Sequence, residues 1–212
     1  MIELTRFIVV IIALIIIYRT AELFVRRAIA VRRIKRLGEL RGVKVIFPKS
    51  PYLSLFRLSK NPDIIVDMGS KAYIIRLISG KGKLKRVHFA SPEFFVVFNR
   101  TVLLTGTTGR RFRVAKRAGH TALTLNRRTY ILPPLKIPKE YNKRHDLDER
   151  EIIPTLIFSP APHAVSYVTP ERTSIKVAFT GDEIFGARIY TASTFERYID
   201  RESRELYNNY PL

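Results

Sequence analysis

Phe7 to Tyr18 reads FIVVIIALIIIY, twelve residues without a charge or a polar break. Everything else in the chain is placed by what this stretch does. Twelve helical residues rise only about 18 Å, and a bilayer's hydrocarbon core is about 30 Å thick. Extending the segment from Leu4 to Leu23 gives twenty residues, which is enough to cross. Arg6 and Arg19 then lie near the two ends, where their long stems can carry the charge to head groups. Glu22 follows Arg19 on the same helical face, at a spacing that allows pairing. Ten of the twelve central residues are Ile, Leu, Val or Phe. Each favours insertion by roughly 0.3–0.6 kcal/mol near the centre of a span. Tyr18 suits the interface.

Other readings of the stretch fit less well. A cleaved signal peptide wants bases before the apolar run and small residues after it. Here Arg6 is the one side-chain base before the run, and Arg19, Glu22 and Arg26 follow it. Arg26-Arg27 falls on the wrong side for a twin-arginine export signal. An in-plane amphipathic helix needs a polar face, which residues 7–17 lack.

The flanks set an orientation. Arg26, Arg27, Arg32, Arg33, Lys35, Arg36 and Arg41 follow the span, against Arg6 and Glu3 before it. The positive-inside rule puts the carboxyl-terminal bulk in the cytoplasm and the short amino end outside the cell membrane. The 212 residues contain no cysteine, which excludes disulfides, thiolate metal sites and cysteine nucleophiles.

Charge is laid out unevenly. The chain carries +20 overall. Residues 1–139 hold 29 Lys and Arg against six acids, a net +23, and residues 140–212 hold nine against twelve, a net −3. The basic part is expected to meet an anionic surface: lipid head groups, nucleic acid or an acidic protein. Two sets of residues are the candidates. Arg26, Arg27, Arg32, Arg33, Lys35 and Arg36 fall on a predicted juxtamembrane helix and are assigned to lipid. Lys81, Lys83, Lys85 and Arg86 crowd one predicted hairpin, and Arg110, Arg111, Arg113, Lys116 and Arg117 crowd another segment. These nine are assigned to an anionic partner, with Tyr73, Phe89, Phe94 and Phe112 interleaved.

Beyond Val43 the apolar period shifts towards two. Strands are expected at 43–47, 63–68, 71–79, 84–90, 93–99, 101–105, 111–115, 122–125, 129–132, 152–158, 164–168, 175–180 and 184–190. The turn Gly80-Lys81-Gly82 should fold the strand at 84–90 back onto the strand at 71–79. Lys139 to Glu151 lacks apolar periodicity and reads as a charged loop. Ser193 and Glu196 match a capping box opening a final helix. The fold class is α+β: one transmembrane helix, then a β-rich cytoplasmic domain closed by a carboxyl-terminal helix. The divisions are an anchor at 1–25, a basic helix at 26–42, a basic β-rich part at 43–138, the loop at 139–151, and strands plus helix at 152–212.

Chemistry-bearing motifs are sparse. The four histidines have no metal-ligand spacing, and Thr105 to Arg110 lacks the length and the Lys-Ser/Thr of a phosphate loop. Asn61-Pro62-Asp63-Ile64-Ile65-Val66, with the strand after it, resembles the opening of a PD-(D/E)xK nuclease core. That resemblance implies a divalent metal held by Asp63 and by an acid-x-lysine on the next strand. Here the next strand reads Ile75-Arg76-Leu77 instead. The leading expectation is a single-pass, membrane-anchored binding or scaffold protein, with no catalytic residue, metal or cofactor assigned. The alternatives are a membrane-tethered nucleic-acid module and a degenerate nuclease-like hydrolase using Asp63 and Asp67.

Overall fold

The computed structural model describes residues 2–48, 50, 61–79, 86–98, 113–117, 120–124, 129–132, 134–137, 139–147, 149–169 and 175–209. The apolar stretch begins a single helix, α1, that runs without a break from Ile2 to Arg36. Its first half projects from the fold. Phe7 is 64% exposed, and every described side chain from Leu4 to Tyr18 is exposed. This helix is long and apolar enough to cross a membrane. Its second half belongs to the core: Ala30, Val31 and Ile34, with Leu37 just beyond the helix, pack in one cluster with the central strands. The basic helix assigned to 26–42 is therefore the far end of the same helix, with one side sealed into the domain. A 3-10 turn at Leu37–Glu39 and a left-handed Gly42 (φ 74°) then lead into the sheet.

The strands are β1 (Lys44–Ile46), β2 (Ile64–Asp67), β3 (Lys71–Ser79), β4 (Arg86–Ser91), β5 (Phe94–Phe98), β6 (Arg113–Arg117), β7 (His120–Thr124) and β8 (Thr129–Ile131). A short helix, α2 (Lys139–His145), precedes β9 (Glu151–Ser159), β10 (Ala164–Val168), β11 (Ile175–Ala178), β12 (Glu183–Ile184), β13 (Ala187–Thr191) and the last helix, α3 (Ala192–Asn209). The larger sheet has the order β1-β2-β3-β9-β13-β12. β3 is parallel to β9 from Lys71↔Glu151 to Ser79↔Ser159, and β9 is parallel to β13. The second sheet runs β11-β10-β4-β5-β8, and β6 pairs with β7 apart from both. The molecule is mixed α/β, and both sheets take strands from either side of residues 139–151.

β3 shows why the larger sheet is central. Tyr73, Ile75 and Leu77 face α1 and α3, while Ala72 and Ile74 pack with Leu147 on the other side. Ile78 joins the cluster between the two sheets. A strand covered on both faces needs apolar residues at successive positions, and KAYIIRLIS supplies them.

Four local expectations change. β3 and β4 do not form a hairpin; they enter different sheets. β3 takes β2 and the distant β9 as its two ladder neighbours, which places it inside the larger sheet with both hydrogen-bonding edges paired. The strand expected across 184–190 is a tight β12–β13 hairpin, turned by Phe185 and Gly186 with φ of 49° and 77°. That pair of positive φ values is the geometry a two-residue turn needs. The cap of α3 lies two residues earlier than Ser193 and Glu196. Thr194 N donates to Thr191 Oγ1 at 3.2 Å, and Thr191 N donates to Thr194 Oγ1 at 2.9 Å. The stretch at 139–151 also contains α2 rather than loop alone. The strand expected at 101–105 lies outside the described residues.

Candidate functional site

α1 distributes its bases by helical phase. Arg27 falls four residues after Leu23 and four before Val31, both core residues, so its stem points inwards. It is 1% exposed and pairs with Asp63 at 3.1 Å. It also donates to the Leu77 carbonyl at 3.0 Å and to Ser79 Oγ at 3.4 Å. This corrects the assignment of Arg27 to lipid: its charge is used inside the fold. Arg26 pairs with Glu22 at 2.6 Å, and Arg33 with Glu196 of α3 at 3.1 Å.

Arg32, Lys35 and Arg36 fall on the exposed side and line an open groove with Lys44. Val45 and Phe47 lie in its wall, and Glu39 is its one acid. Among the described residues no salt bridge reaches Arg32, Lys35 or Arg36. Part of this charge answers the partial negative charge at the end of α1, as bases in a last turn do. Four cations around one acid exceed that need and leave the groove with a net positive charge.

The second basic set is only partly described. Arg86 opens β4, and Arg113, Lys116 and Arg117 lie along β6. Lys81, Lys83, Lys85, Arg110 and Arg111 lie outside the described residues.

Asp63 and Asp67 are engaged structurally. Asp63 accepts the Leu77 N–H at 2.8 Å besides its pairing with Arg27. Arg76 is also buried, and burial pulls its guanidinium down to about 10 while the charge of Asp63 opposes the shift. Where the nuclease resemblance implies an acid-x-lysine, β3 thus carries a buried cation beside Asp63. Asp67 accepts the Gly69 N–H at 2.9 Å and pairs with Arg150 at 3.1 Å. Among the described residues no group of three His, Asp or Glu side chains could hold a metal ion.

A polar cluster that the sequence reading missed ties α3 to the other end of β3. Lys71 donates to Glu202 at 2.7 Å, and the Tyr73 hydroxyl donates to the same carboxylate. The Tyr198 hydroxyl lies 3.3 Å from that of Tyr73 and accepts from Arg188 at 3.3 Å. Burial and the hydrogen bond to Glu202 push Tyr73 well above the usual phenol range, so it stays protonated. Burial alone would raise Glu202, but the hydrogen bonds from Lys71 and Tyr73 outweigh it and hold the carboxyl below its ordinary value. Lys71 and Glu202 are 131 residues apart, and no local pattern marks them as partners.

His88 is fully buried, with Nδ1 at 2.9 Å from Ser166 Oγ, and burial lowers it to about 4. It is a neutral core histidine at physiological pH. No protein-family model, curated protein or solved structure matches the chain.

Proposed function

We propose that the protein is a single-pass membrane-anchored binding domain, held amino end out with its bulk in the cytoplasm, that presents a basic groove to an anionic surface. The observation that carries this reading is the continuity of α1. One helix has a fully exposed apolar half and a half sealed into the core, so the anchor and the domain share a rigid element. Its exposed bases come directly after the apolar segment, where the topology rule and anionic head groups both favour them. Arg32, Lys35, Arg36 and Lys44 are the residues expected to bind. Their ligand is the phosphate-bearing surface of the membrane that holds the anchor.

The full-length chain should pellet with membranes after an alkaline wash and be released only by detergent; recovery in the wash would overturn the anchor. In sealed inverted vesicles, protease should reach the domain, and protection there would reverse the orientation. A chain beginning at Ala21 should bind vesicles containing anionic lipid in preference to zwitterionic ones, and more weakly as salt rises. Each of Arg32→Glu, Lys35→Glu and Arg36→Glu should weaken that binding several-fold, since a base near such a surface contributes about 1 kcal/mol. Equal binding to both vesicle types, or stronger binding to a short oligonucleotide, would remove lipid as the ligand.

A further inference from the structure

The apolar surface that the domain leaves uncovered on α1 runs further along its outer side than along its inner side. Tyr18, Val25, Ile29, Arg32 and Arg36 are spaced 7, 4, 3 and 4 residues apart, which puts all five on one face of a helix. Tyr18 is 71% exposed, Val25 57% and Ile29 53%. On the opposite face the domain already begins at Leu23, and the ends of β3 and β9 abut the helix at Arg26 and Arg27. Ser79 Oγ accepts from Arg27, and Ser159 Oγ donates to the Arg26 carbonyl at 3.2 Å. The apolar surface therefore ends near Leu23 on the inner side and at Ile29 on the outer side.

We infer that the bilayer covers this outer face up to Ile29, so that α1 enters the membrane at a steep tilt and its outer side lies down on the lipid. The inference rests on the membrane-anchored reading. Two pieces of geometry agree on the angle. Six residues of offset are about 9 Å along the axis, set across a helix about 10 Å wide, which inclines the boundary by roughly 40°. Separately, Leu4 to Ile29 rises about 39 Å, and a helix of that length fits a core of about 30 Å at roughly 40°, the upper end of the usual range. Charge supports the same occupant. Arg32 and Arg36 continue the face immediately beyond Ile29, about 5 and 10 Å further along the axis, at the depth of anionic head groups. Glu22 also falls on this face, between Tyr18 and Val25, and its pairing with Arg26 at 2.6 Å neutralises both charges near the boundary. In an upright helix ending its span at Leu23, Arg36 would stand about 20 Å from the hydrocarbon, beyond a Debye length of about 8 Å.

The absence of cysteine makes the test direct. Ile12→Cys, Val25→Cys, Ile29→Cys and Arg201→Cys are made singly in the full chain, labelled with a nitroxide and placed in lipid vesicles. All four positions are exposed, and Arg201 lies on α3, which meets α1 at Arg33–Glu196 and the segment after it at Arg41–Ser203, away from the anchor. Collision with oxygen reports lipid, and collision with a water-soluble nickel chelate reports solvent. The expected result is an oxygen-to-nickel ratio that falls from position 12 through 25 to 29, with both 25 and 29 exceeding position 201 several-fold. A ratio at 25 and 29 like that at 201, with 12 in lipid, overturns the tilt and leaves the anchor standing. Positions 25 and 29 closed to both probes would mean that another protein surface covers the face, and would also overturn it. A solvent-like ratio at position 12 would overturn the anchor itself.

Discussion

Two buried side chains set the most exacting terms for stability. Arg27 and Asp63 each remove a full charge from water, and each depends on the other and on backbone partners. Removing one partner leaves the other charged and buried. Arg27→Met or Asp63→Leu alone is therefore expected to cost about 3–5 kcal/mol, while the double variant recovers part of the loss, since the buried Arg76 also loses the charge of Asp63. Chemical denaturation in detergent micelles measures this, and additive losses would show that the pair is not coupled. His88 gives the fold a pH dependence of definite sign. It titrates at about 4 when folded and near 6.5 in the unfolded chain, so between those values the unfolded state binds more protons. Stability should fall as pH drops from about 6.5 to 4, by up to roughly 3 kcal/mol. His88→Gln should flatten that slope, and a slope unchanged in the variant would place its source elsewhere.

At the scale of elements, α1 is the part whose loss would be felt most widely. Ile34 is fully buried, and Ile34→Ala should destabilise by about 2–5 kcal/mol in the same denaturation assay. A chain beginning at Val43 lacks Ala30, Val31, Ile34 and Leu37, and should not unfold cooperatively. A chain beginning at Ala21 keeps them and should. Circular dichroism melting separates the two, and a cooperative melt of the shorter chain would show that α1 is dispensable to the core. Much of this level was legible. The apolar segment and most strand positions follow from local period and composition. The inward turn of Arg27 was legible too, because Leu23, Arg27, Val31 and Ile34 share one face; the density of neighbouring arginines hid that phase. The separation of β3 from β4 was not legible, because a strand's partner is chosen by long-range burial, which a nearby glycine turn does not encode. The Lys71–Glu202 contact fails for the same reason. The cap of α3 moved by two residues because Thr, Ser and Thr offer equivalent hydroxyls at 191, 193 and 194.

For the molecule as a whole, the parallel strands run towards the anchor and the two long helices run away from it. β3 and β9 end beside Arg26 and Arg27, so the carboxyl ends of the parallel strands point to the side from which the apolar half of α1 projects. The Lys71–Tyr73–Glu202 cluster lies at the opposite end. In the anchored reading, this turns the strand ends towards the bilayer and the tyrosine cluster away from it. A nitroxide at Ser79 should sit closer to the lipid than one at Lys71. Nine residues of extended strand separate them by about 26 Å, well within the range of depth measurements.

The pairing of Lys71 with Glu151 also fixes an order of events during synthesis. Translation proceeds amino end first, at about 5–20 residues per second. Eighty residues separate those two positions, so β3 waits several seconds for its neighbour while the leading helix has already left the ribosome. An inserted helix would then serve as a fixed post on which the later strands assemble. Ribosome-arrested chains should stay protease-sensitive until β9 and α3 have both emerged, and early resistance would show that the first sheet closes without them.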